Sequence, residues 1–148
     1  MSDIGNVYVS SEYSEREGVY LYSHWGGKHL PGVVQSAMRR GMDRWNDAQY
    51  LARILFCEMI KDDVMGTRDF GISSHKWSGD RPILVVDCVG QLIKLCEKDG
   101  DPFYDSTVLC TFREFVDAEY PASELIEKLI EDRDRKESED NQNEGVPA

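Results

Sequence analysis

The sequence of 148 residues has no hydrophobic run long enough to cross a membrane. A spanning helix needs about 20 consecutive apolar residues, and polar or charged residues interrupt every apolar stretch well before that length. Residues 1–6 also lack the basic flank and the apolar core of a secretory signal. We therefore expect a cytoplasmic protein that makes no membrane contact.

Cysteine pairs and metal-binding motifs are missing as well. The four cysteines stand singly in apolar neighbourhoods such as Leu84-Val85-Val86-Asp87-Cys88, and none forms a CxxC pair. We predict buried free thiols, with disulfides or a thiolate metal site as the alternatives. The three histidines, His24, His29 and His75, match no zinc spacing, so we assign no metal.

The chain carries none of the short motifs that mark common cofactors or nucleophiles. It has no GxxxxGK[ST] loop for nucleoside triphosphates, no GxGxxG turn for dinucleotides and no GxSxG elbow. Ser23 and His24 are adjacent, but neighbouring side chains on a strand point to opposite faces, so they form no dyad. We predict a non-catalytic protein with no cofactor.

Positive charge is scarce: 17 Lys and Arg residues stand against 28 Asp and Glu residues, which gives a net charge of −11. Binding to a phosphate backbone is driven by counterion release and needs clustered Lys and Arg. We therefore expect no direct contact with nucleic acid. An acidic surface suits a basic partner, and it suits equally a solvated surface with no partner.

What the sequence does have is enough apolar residues for one core. Hydrophobic residues make up 41% and aromatic residues 10% of the chain, which is ordinary for a globular domain. We predict a single α+β domain over residues 1–136, with a mixed or mainly antiparallel sheet of four to six strands and two to three packed helices. Residues 137–148 offer little apolar surface, so we predict a disordered acidic tail.

The predicted elements follow from hydrophobic periodicity and from the turn residues between them. Strands are predicted over residues 7–9, 18–25, 70–74, 83–88, 91–96 and 107–112, with a helix over 89–98 as the competing interpretation. Helices are predicted over 31–40, 48–64 and 122–135. Gly41 stops the first helix, and Asn46 or Asp47 offers a capping oxygen to the second. We expect these two helices to pack on one face of the sheet.

The second predicted strand ends in a segment with the features of an anion site. In Tyr20-Leu21-Tyr22-Ser23-His24-Trp25-Gly26-Gly27, the alternation places both tyrosines and His24 on one face. Two glycines permit a tight turn, and the helix that starts near Pro31 brings free N–H groups with partial positive charge. The alternative is an ordinary glycine turn between a strand and a helix. The candidate ligand-binding residues here are Tyr22, Ser23, His24, Gly26, Gly27, Lys28 and His29.

A second candidate cluster lies on the second predicted helix. Asn46, Tyr50 and Arg53 recur at spacings of four and three, so they share a helical face. We add Asp47, Tyr50 and Arg53 to the candidate ligand-binding residues, with the solvated side of the helix as the alternative. Asp87 ends an apolar strand, and we expect it to cap a neighbouring turn, with a functional carboxylate at the strand end as the alternative.

The segments just described also carry a resemblance. The pattern resembles one found in uncharacterised small proteins of phages and prokaryotes, and it consists of residues 19–27, Leu30-Pro31, Arg44-Trp45-Asn46-Asp47, Tyr50-Leu51-Ala52-Arg53, Gly71-Ile72-Ser73 and Leu84-Val85-Val86-Asp87. The resemblance covers about residues 18–88 and transfers no catalytic or binding residue. It implies a phage origin, and hence a small protein that binds a host component or a nucleotide signal.

Two functions of different classes emerge from the sequence. We predict a non-catalytic binding protein that holds a small anionic, nucleotide-like ligand or a host partner protein. The alternative is a small hydrolase or transferase that uses His24 with a carboxylate such as Asp47.

Overall fold

The computed structural model describes residues 2–118 and 122–144. Within these ranges the strands are β1 (Gly5–Ser10), β2 (Gly18–Ser23), β3 (Phe70–Ser73), β4 (Ile83–Asp87), β5 (Leu92–Cys96) and β6 (Ser106–Thr111). The helices are α1 (Leu30–Arg40), α2 (Ala48–Ile60), α3 (Phe112–Asp117) and α4 (Ala122–Glu144). Short 3-10 turns, Gly27–His29 and Met42–Arg44, precede α1 and α2.

Two antiparallel meanders, β1-β2-β3 and β4-β5-β6, are joined by the parallel pairing of β1 with β4. The sheet order is therefore β3-β2-β1-β4-β5-β6. Helices α1 and α2 lie between β2 and β3 in the chain, and they pack against each other. This six-stranded mixed sheet with its helices confirms the predicted α+β fold class.

Because β1 and β4 run in the same direction, the sheet has two distinct ends. At the first, which we call the Gly5 end, Gly5 pairs with Ser23 at the end of β2. At the second, which we call the Ser10 end, Ser10 pairs with Gly18 at the start of β2. The position of each predicted cluster relative to these two ends decides whether the two clusters can meet.

The alternation of side chains divides the apolar strand residues between two cores. The larger core lies between the sheet and the helices, where Val34 of α1, Leu51 of α2 and Phe115 of α3 are buried. Burial of one such side chain contributes about 1.5–3 kcal/mol, so this layer holds most of the stabilising contacts. The strand residues of the larger core are Val7, Val9, Leu21, Leu84, Val86, Ile93 and Cys110. The smaller core, on the opposite face, contains Tyr8, Ile83, Val85 and Cys96.

Several predicted boundaries hold and others do not. α1 has Pro31 in its first turn and ends before Gly41, as predicted. α2 ends at Ile60 rather than residue 64, because Val64 and Met65 are exposed and have no core to join. The segment after β4 is strand β5, paired on both sides, so the competing helix over 89–98 is wrong.

Helix α3 is an element that the sequence patterns do not predict. It begins with a capping box in which Thr111 Oγ1 accepts a hydrogen bond from Glu114 N–H, and Glu114 Oε1 accepts one from Thr111 N–H. These bonds hold the pKa of the Glu114 carboxyl below its usual range. The spacing of Thr111 and Glu114 is the local signal that marks this start. Hydrophobic periodicity does not detect α3 because six residues are too few to show a helical stripe.

Helix α4 continues to Glu144, past the predicted helix end at residue 135. The described side chains over 134–140 are all exposed, so no burial sustains this part. The local helix propensity here is mixed, since Glu, Lys, Arg and Gln carry little intrinsic cost in a helix, whereas Ser138, Asp140, Asn141 and Asn143 are less favourable. Over 137–144 the structure thus has helix where the sequence predicts irregular chain, and residues 145–148 lie outside the described residues. None of the helices in the described ranges is long and apolar enough to span a membrane.

Candidate functional site

The predicted anion site at the glycine turn is filled by the chain itself. Gly26 N–H donates to Ser23 Oγ at 3.0 Å, and Gly27 N–H donates to the backbone oxygen of Asp3 at 2.9 Å. Lys28 N–H donates to Asp3 Oδ2 at 3.0 Å. The expectation that these N–H groups are free is therefore wrong. The position predicted for a bound anion is held by a carboxylate of the same chain.

Arg81 fixes Asp3 in this position. Its Nε donates a hydrogen bond to Asp3 Oδ1, and the two groups form an ion pair. This hydrogen bond holds the pKa of the Asp3 carboxyl below its usual range, against the opposing effect of burial, and the Lys28 N–H bond lowers it further. The sequence does not reveal Asp3 because its partners are distant in the chain, and a side-chain cap from such a distance leaves no local pattern.

The two glycines serve close packing rather than a left-handed backbone. Gly26 has φ of −111°, and no described glycine has a positive φ. A Cβ on Gly27 would lie 2.7 Å from Asp3 Oδ1 and 2.9 Å from the Asp3 backbone oxygen. Gly27 is therefore required by the close approach of the segment that carries Asp3.

Tyr22 and His24 make structural contacts, whereas Lys28 and His29 line a cavity of about 580 Å³ beside Arg81. Tyr22 stacks on Trp77, with ring centroids 5.0 Å apart, on the face of the sheet opposite the helices. His24 packs its ring 4.4 Å from that of Trp25, and its N–H donates to the Asp69 backbone oxygen at 2.8 Å. The predicted alternation is correct within β2, where it directs Tyr20 and Tyr22 away from the helix side. It does not extend to His24 and Trp25, which follow the strand and whose rings contact each other.

The helix cluster does not form one polar patch. Asp47 occupies the N-cap position of α2 but makes no capping bond, and Glu12 Oε2 accepts the Ala48 N–H at 3.1 Å instead. Tyr50 is 51% exposed and lies under the Arg44 guanidinium, 4.9 Å from its ring centre. The predicted cap from Asn46 or Asp47 is therefore wrong, because Asn46 Oδ1 accepts a hydrogen bond from Gln91 Nε2 and the loop after β1 brings Glu12 to that helix end.

The two clusters lie at opposite ends of the sheet. His24 follows β2 at the Gly5 end, whereas Asp47 starts α2 beside Glu12, just beyond the Ser10 end. The 13 residues of α2 extend about 1.5 Å each along the helix axis. The helix therefore separates Asp47 at its start from Met59 near its last turn, and Met59 is the α2 residue that lines the cavity beside Trp25. His24 and Asp47 are thus too far apart to act together on one bond.

Arg53 lies at a different feature, an open apolar groove of about 480 Å³ between α2 and the first meander. Its floor is formed by β1 and β2 with Val9, Val19 and Leu21, and one side is formed by Ala52 and Phe56 of α2. We call it the α2 groove. The further lining residues are Ser10, Ser11, Glu12, Tyr13, Gly18, Ala48, Gln49, Arg53, Cys57 and Ile72.

The α2 groove combines exposed apolar surface with one uncommitted charge. Ile72 of the edge strand β3 is 60% exposed. Arg53 makes no hydrogen bond or ion pair with any residue of the described ranges. Glu12, the acidic residue of the lining, is engaged by Ala48 N–H. An exposed cation beside apolar surface that no described residue covers is a feature that binding sites share.

The cysteine prediction holds for three of four thiols. Cys88, Cys96 and Cys110 are buried and unpaired, as predicted. Burial raises the pKa of Cys88 to about 12 and that of Cys110 to about 11. Cys57 is exposed, which corrects the prediction, because it follows Arg53 by one helical turn and shares its groove-facing side of α2.

Asp87 caps a turn, as predicted. Its Oδ1 accepts hydrogen bonds from Val89 N–H at 2.9 Å and Gly90 N–H at 3.3 Å. Its Oδ2 lies 3.0 Å from Lys94 Nζ without the alignment of a hydrogen bond, so the attraction is between the charges. In residues 2–118 and 122–144, no three His, Cys, Asp or Glu side chains gather in a way that would hold a metal ion.

Comparisons of the chain with protein-family models, curated proteins and solved structures found no match. Function is therefore inferred from the geometry of the α2 groove.

Proposed function

We propose that this chain is a non-catalytic binding protein that holds a segment of a partner protein in the α2 groove. The observation that supports the proposal is the open apolar groove of about 480 Å³, flanked by Ile72 of an edge strand and by the uncommitted Arg53. Binding sites are typically concave and mostly apolar, with a few polar or charged groups that fix the orientation of the ligand, and the α2 groove with Arg53 has this composition. Of the two ligand classes expected from the sequence, the groove favours the partner protein.

The small anionic ligand is less well supported by the contacts. The N–H groups expected to bind it already donate to Asp3 and Ser23. An external anion would have to displace a carboxylate that Arg81 holds in place. The hydrolase alternative needs His24 beside a carboxylate, and Asp47 lies at the other end of the sheet.

A displayed library of random linear peptides tests the proposal. We expect peptides to be enriched on the wild-type protein and to lose binding to the variant Gln49→Trp. Gln49 is exposed and lines the groove, so a tryptophan there covers the groove without entering the core. Tyr50→Trp is the matched control, because Tyr50 is the next residue, is also exposed, and does not line the groove.

The proposal fails if no peptide is enriched, or if the enriched peptides bind Gln49→Trp as tightly as Tyr50→Trp. Because both variants place the same side chain on the exposed part of α2, a general effect of an added tryptophan would appear in both. Circular dichroism and thermal unfolding of the two variants establish that each has the wild-type fold.

A further inference from the structure

We infer that the partner segment binds as an extended strand that pairs with β3 and places a carboxylate on Arg53. This inference rests on the proposed function, and it names the conformation and chemistry of the partner. It starts from the open edge of the sheet, which lies directly beside the α2 groove. β3 ends the sheet order on that side, and Ile72 belongs both to β3 and to the groove lining.

The hydrogen-bond pattern shows which backbone groups of β3 are open. His24 N–H donates to the Asp69 backbone oxygen, and the pairing continues from there with Ser23 opposite Phe70 and Leu21 opposite Ile72. Bonded and non-bonded pairs alternate in an antiparallel ladder. The N–H and C=O groups of Phe70 and Ile72 therefore point away from β2, toward the open edge.

The other edge of the sheet is less suited to pairing. β6 carries a register shift opposite Ile93 and Lys94, and α4 packs against it. Bulges and covering helices are the features by which proteins block an edge strand. β3 makes its extensive contacts with β2 alone. An added strand is therefore expected at β3, where main-chain bonds provide affinity and alternate side chains provide specificity.

The groove determines which types of side chain the added strand can carry. Ile72 pairs with Leu21 and shares its helix-side face. Every second residue of the partner strand would therefore point to the helix side, toward the groove that Ile72 and Phe56 line. Apolar side chains fit those positions. Arg53 stands on the same groove without a partner, and a guanidinium pairs best with a planar carboxylate. The segment thus alternates apolar residues and carries an Asp, a Glu or its own C-terminal carboxylate.

A second copy of this chain is the competing occupant of the β3 edge. The net charge of −11 opposes the association of two copies. A partner of another sequence avoids that repulsion, provided that its acidic group is limited to the one that meets Arg53. We therefore commit to a segment of a different protein.

Amide exchange and two pairs of variants test the inference with the peptides enriched on the wild-type protein. By NMR, the Ile72 amide should exchange rapidly in the free protein and become protected when peptide is added. Ile72→Pro removes only the outward N–H, which an edge strand tolerates, and it should weaken binding about tenfold more than Ile72→Ala, since one lost hydrogen bond is worth about 1 kcal/mol and proline also misaligns the next.

The charge is tested separately. Arg53→Gln should weaken binding about tenfold, and Arg44→Gln should leave it unchanged, because Arg44 stacks on Tyr50 and does not line the groove. The loss with Arg53→Gln should disappear for a peptide in which the acidic residue is replaced by its amide.

The outcomes separate the two proposals. Peptides that bind the groove while the Ile72 amide still exchanges freely, and while Ile72→Pro binds as well as Ile72→Ala, overturn the strand and leave the proposed function standing. Failure of any peptide to bind overturns both. Protection of the Ile72 amide that rises with protein concentration and needs no peptide assigns the edge to a second copy, and this also overturns the inference.

Discussion

Asp3 Oδ2 accepts a hydrogen bond from Lys28 N–H at 3.0 Å, at the turn that leads into α1. The chain thereby places its own carboxylate where helix N–H groups and the positive end of the helix dipole favour an anion. Arg81 binds the same carboxylate from the loop before β4. This contact ties three distant segments together at the Gly5 end of the sheet.

Replacing Asp3 should therefore destabilise the protein. Asp3→Asn keeps the shape of the side chain and removes the charge that Arg81 and the helix start attract. We expect the free energy of unfolding to fall by about 1 kcal/mol, the typical value of a side-chain cap. Urea denaturation measures the difference. A variant as stable as the wild type would show that this contact contributes nothing to folding.

The pH dependence of the same pair of proteins extends this test. The Arg81 hydrogen bond lowers the pKa of Asp3 from its ordinary value of 3.8, so its stabilisation is complete above that pH and is lost as the pH falls through the lower folded value. The stability difference between wild type and Asp3→Asn should be constant at neutral pH and shrink below about pH 4. A difference that grows in acid would contradict the assignment. The pKa of Glu114 is also lowered, but both proteins contain Glu114, so its effect on stability cancels in the comparison.

Two glycines offer a matched test of close packing. Gly27→Ala should destabilise the protein, because its Cβ would lie 2.7 Å from Asp3 Oδ1 and 2.9 Å from the Asp3 backbone oxygen. A Cβ on Gly32 in α1 would point into open space, with no tertiary contact within 4 Å, and Gly32→Ala should stabilise the helix by up to about 1 kcal/mol. Opposite signs in thermal unfolding are expected. Equal effects would mean that Gly27 has no special role.

The strands and the first helices could be predicted because their signals are local. The alternation in Gly18–Ser23 follows from one buried face, and α1 is bounded by Pro31 and Gly41, which act within a few residues. The strand order could not be predicted in this way. The parallel pairing of β1 with β4 joins Val7 to Leu84, and no local pattern encodes such a distant partner.

The candidate site shows the same division. Helical spacing identifies Arg53 as an unusual residue, but it groups Arg53 with Tyr50, which contacts Arg44 instead. The glycine turn has the sequence features of an anion site, and the structure supplies the anion from Asp3. The groove itself cannot be predicted from the sequence, because it depends on how far α2 stands from Ile72, a distance set by tertiary packing.

The end of α4 should contribute little to stability. All described side chains over 134–140 are exposed, so removing residues 137–148 eliminates no buried apolar contact described for the protein. The shortened chain should unfold at the same temperature as the full chain, and the amides over 137–144 of the full chain should exchange fast. The mobility of this exposed end in solution is a prediction that the amide exchange measurement tests. Strong protection of those amides, or a lower unfolding temperature, would refute it.

Thiol chemistry should distinguish one cysteine from three. Cys57 is exposed, whereas Cys88, Cys96 and Cys110 are buried. Burial raises the pKa of Cys88 to about 12 and that of Cys110 to about 11, which leaves little reactive thiolate near neutral pH. A disulfide reagent should therefore modify one thiol rapidly in the native protein and none in Cys57→Ser. Rapid reaction of two or more thiols in the native state would contradict this burial.

The buried pair of Asp87 and Lys94 should be the most costly ion pair to break. The Asp87 side chain is 1% exposed and that of Lys94 is 14% exposed, with 3.0 Å between Oδ2 and Nζ. Lys94→Met leaves a buried carboxylate with no counter-charge, and such changes typically cost about 3–5 kcal/mol. The Asp87 carboxylate is too buried for water to replace its lost interaction with Lys94. Guanidinium denaturation measures the change in unfolding free energy.

Lys98→Met provides the control for that prediction. Lys98 lies 3.9 Å from Asp80 in an exposed ion pair, and exposed pairs contribute about 0–1 kcal/mol. The same substitution should therefore be nearly silent at Lys98 and severe at Lys94. If the two variants lose equal stability, Asp87 does not depend on Lys94. The hydrogen bonds that it accepts from Val89 N–H, Gly90 N–H and Ser10 Oγ would then be sufficient to hold the carboxylate in place.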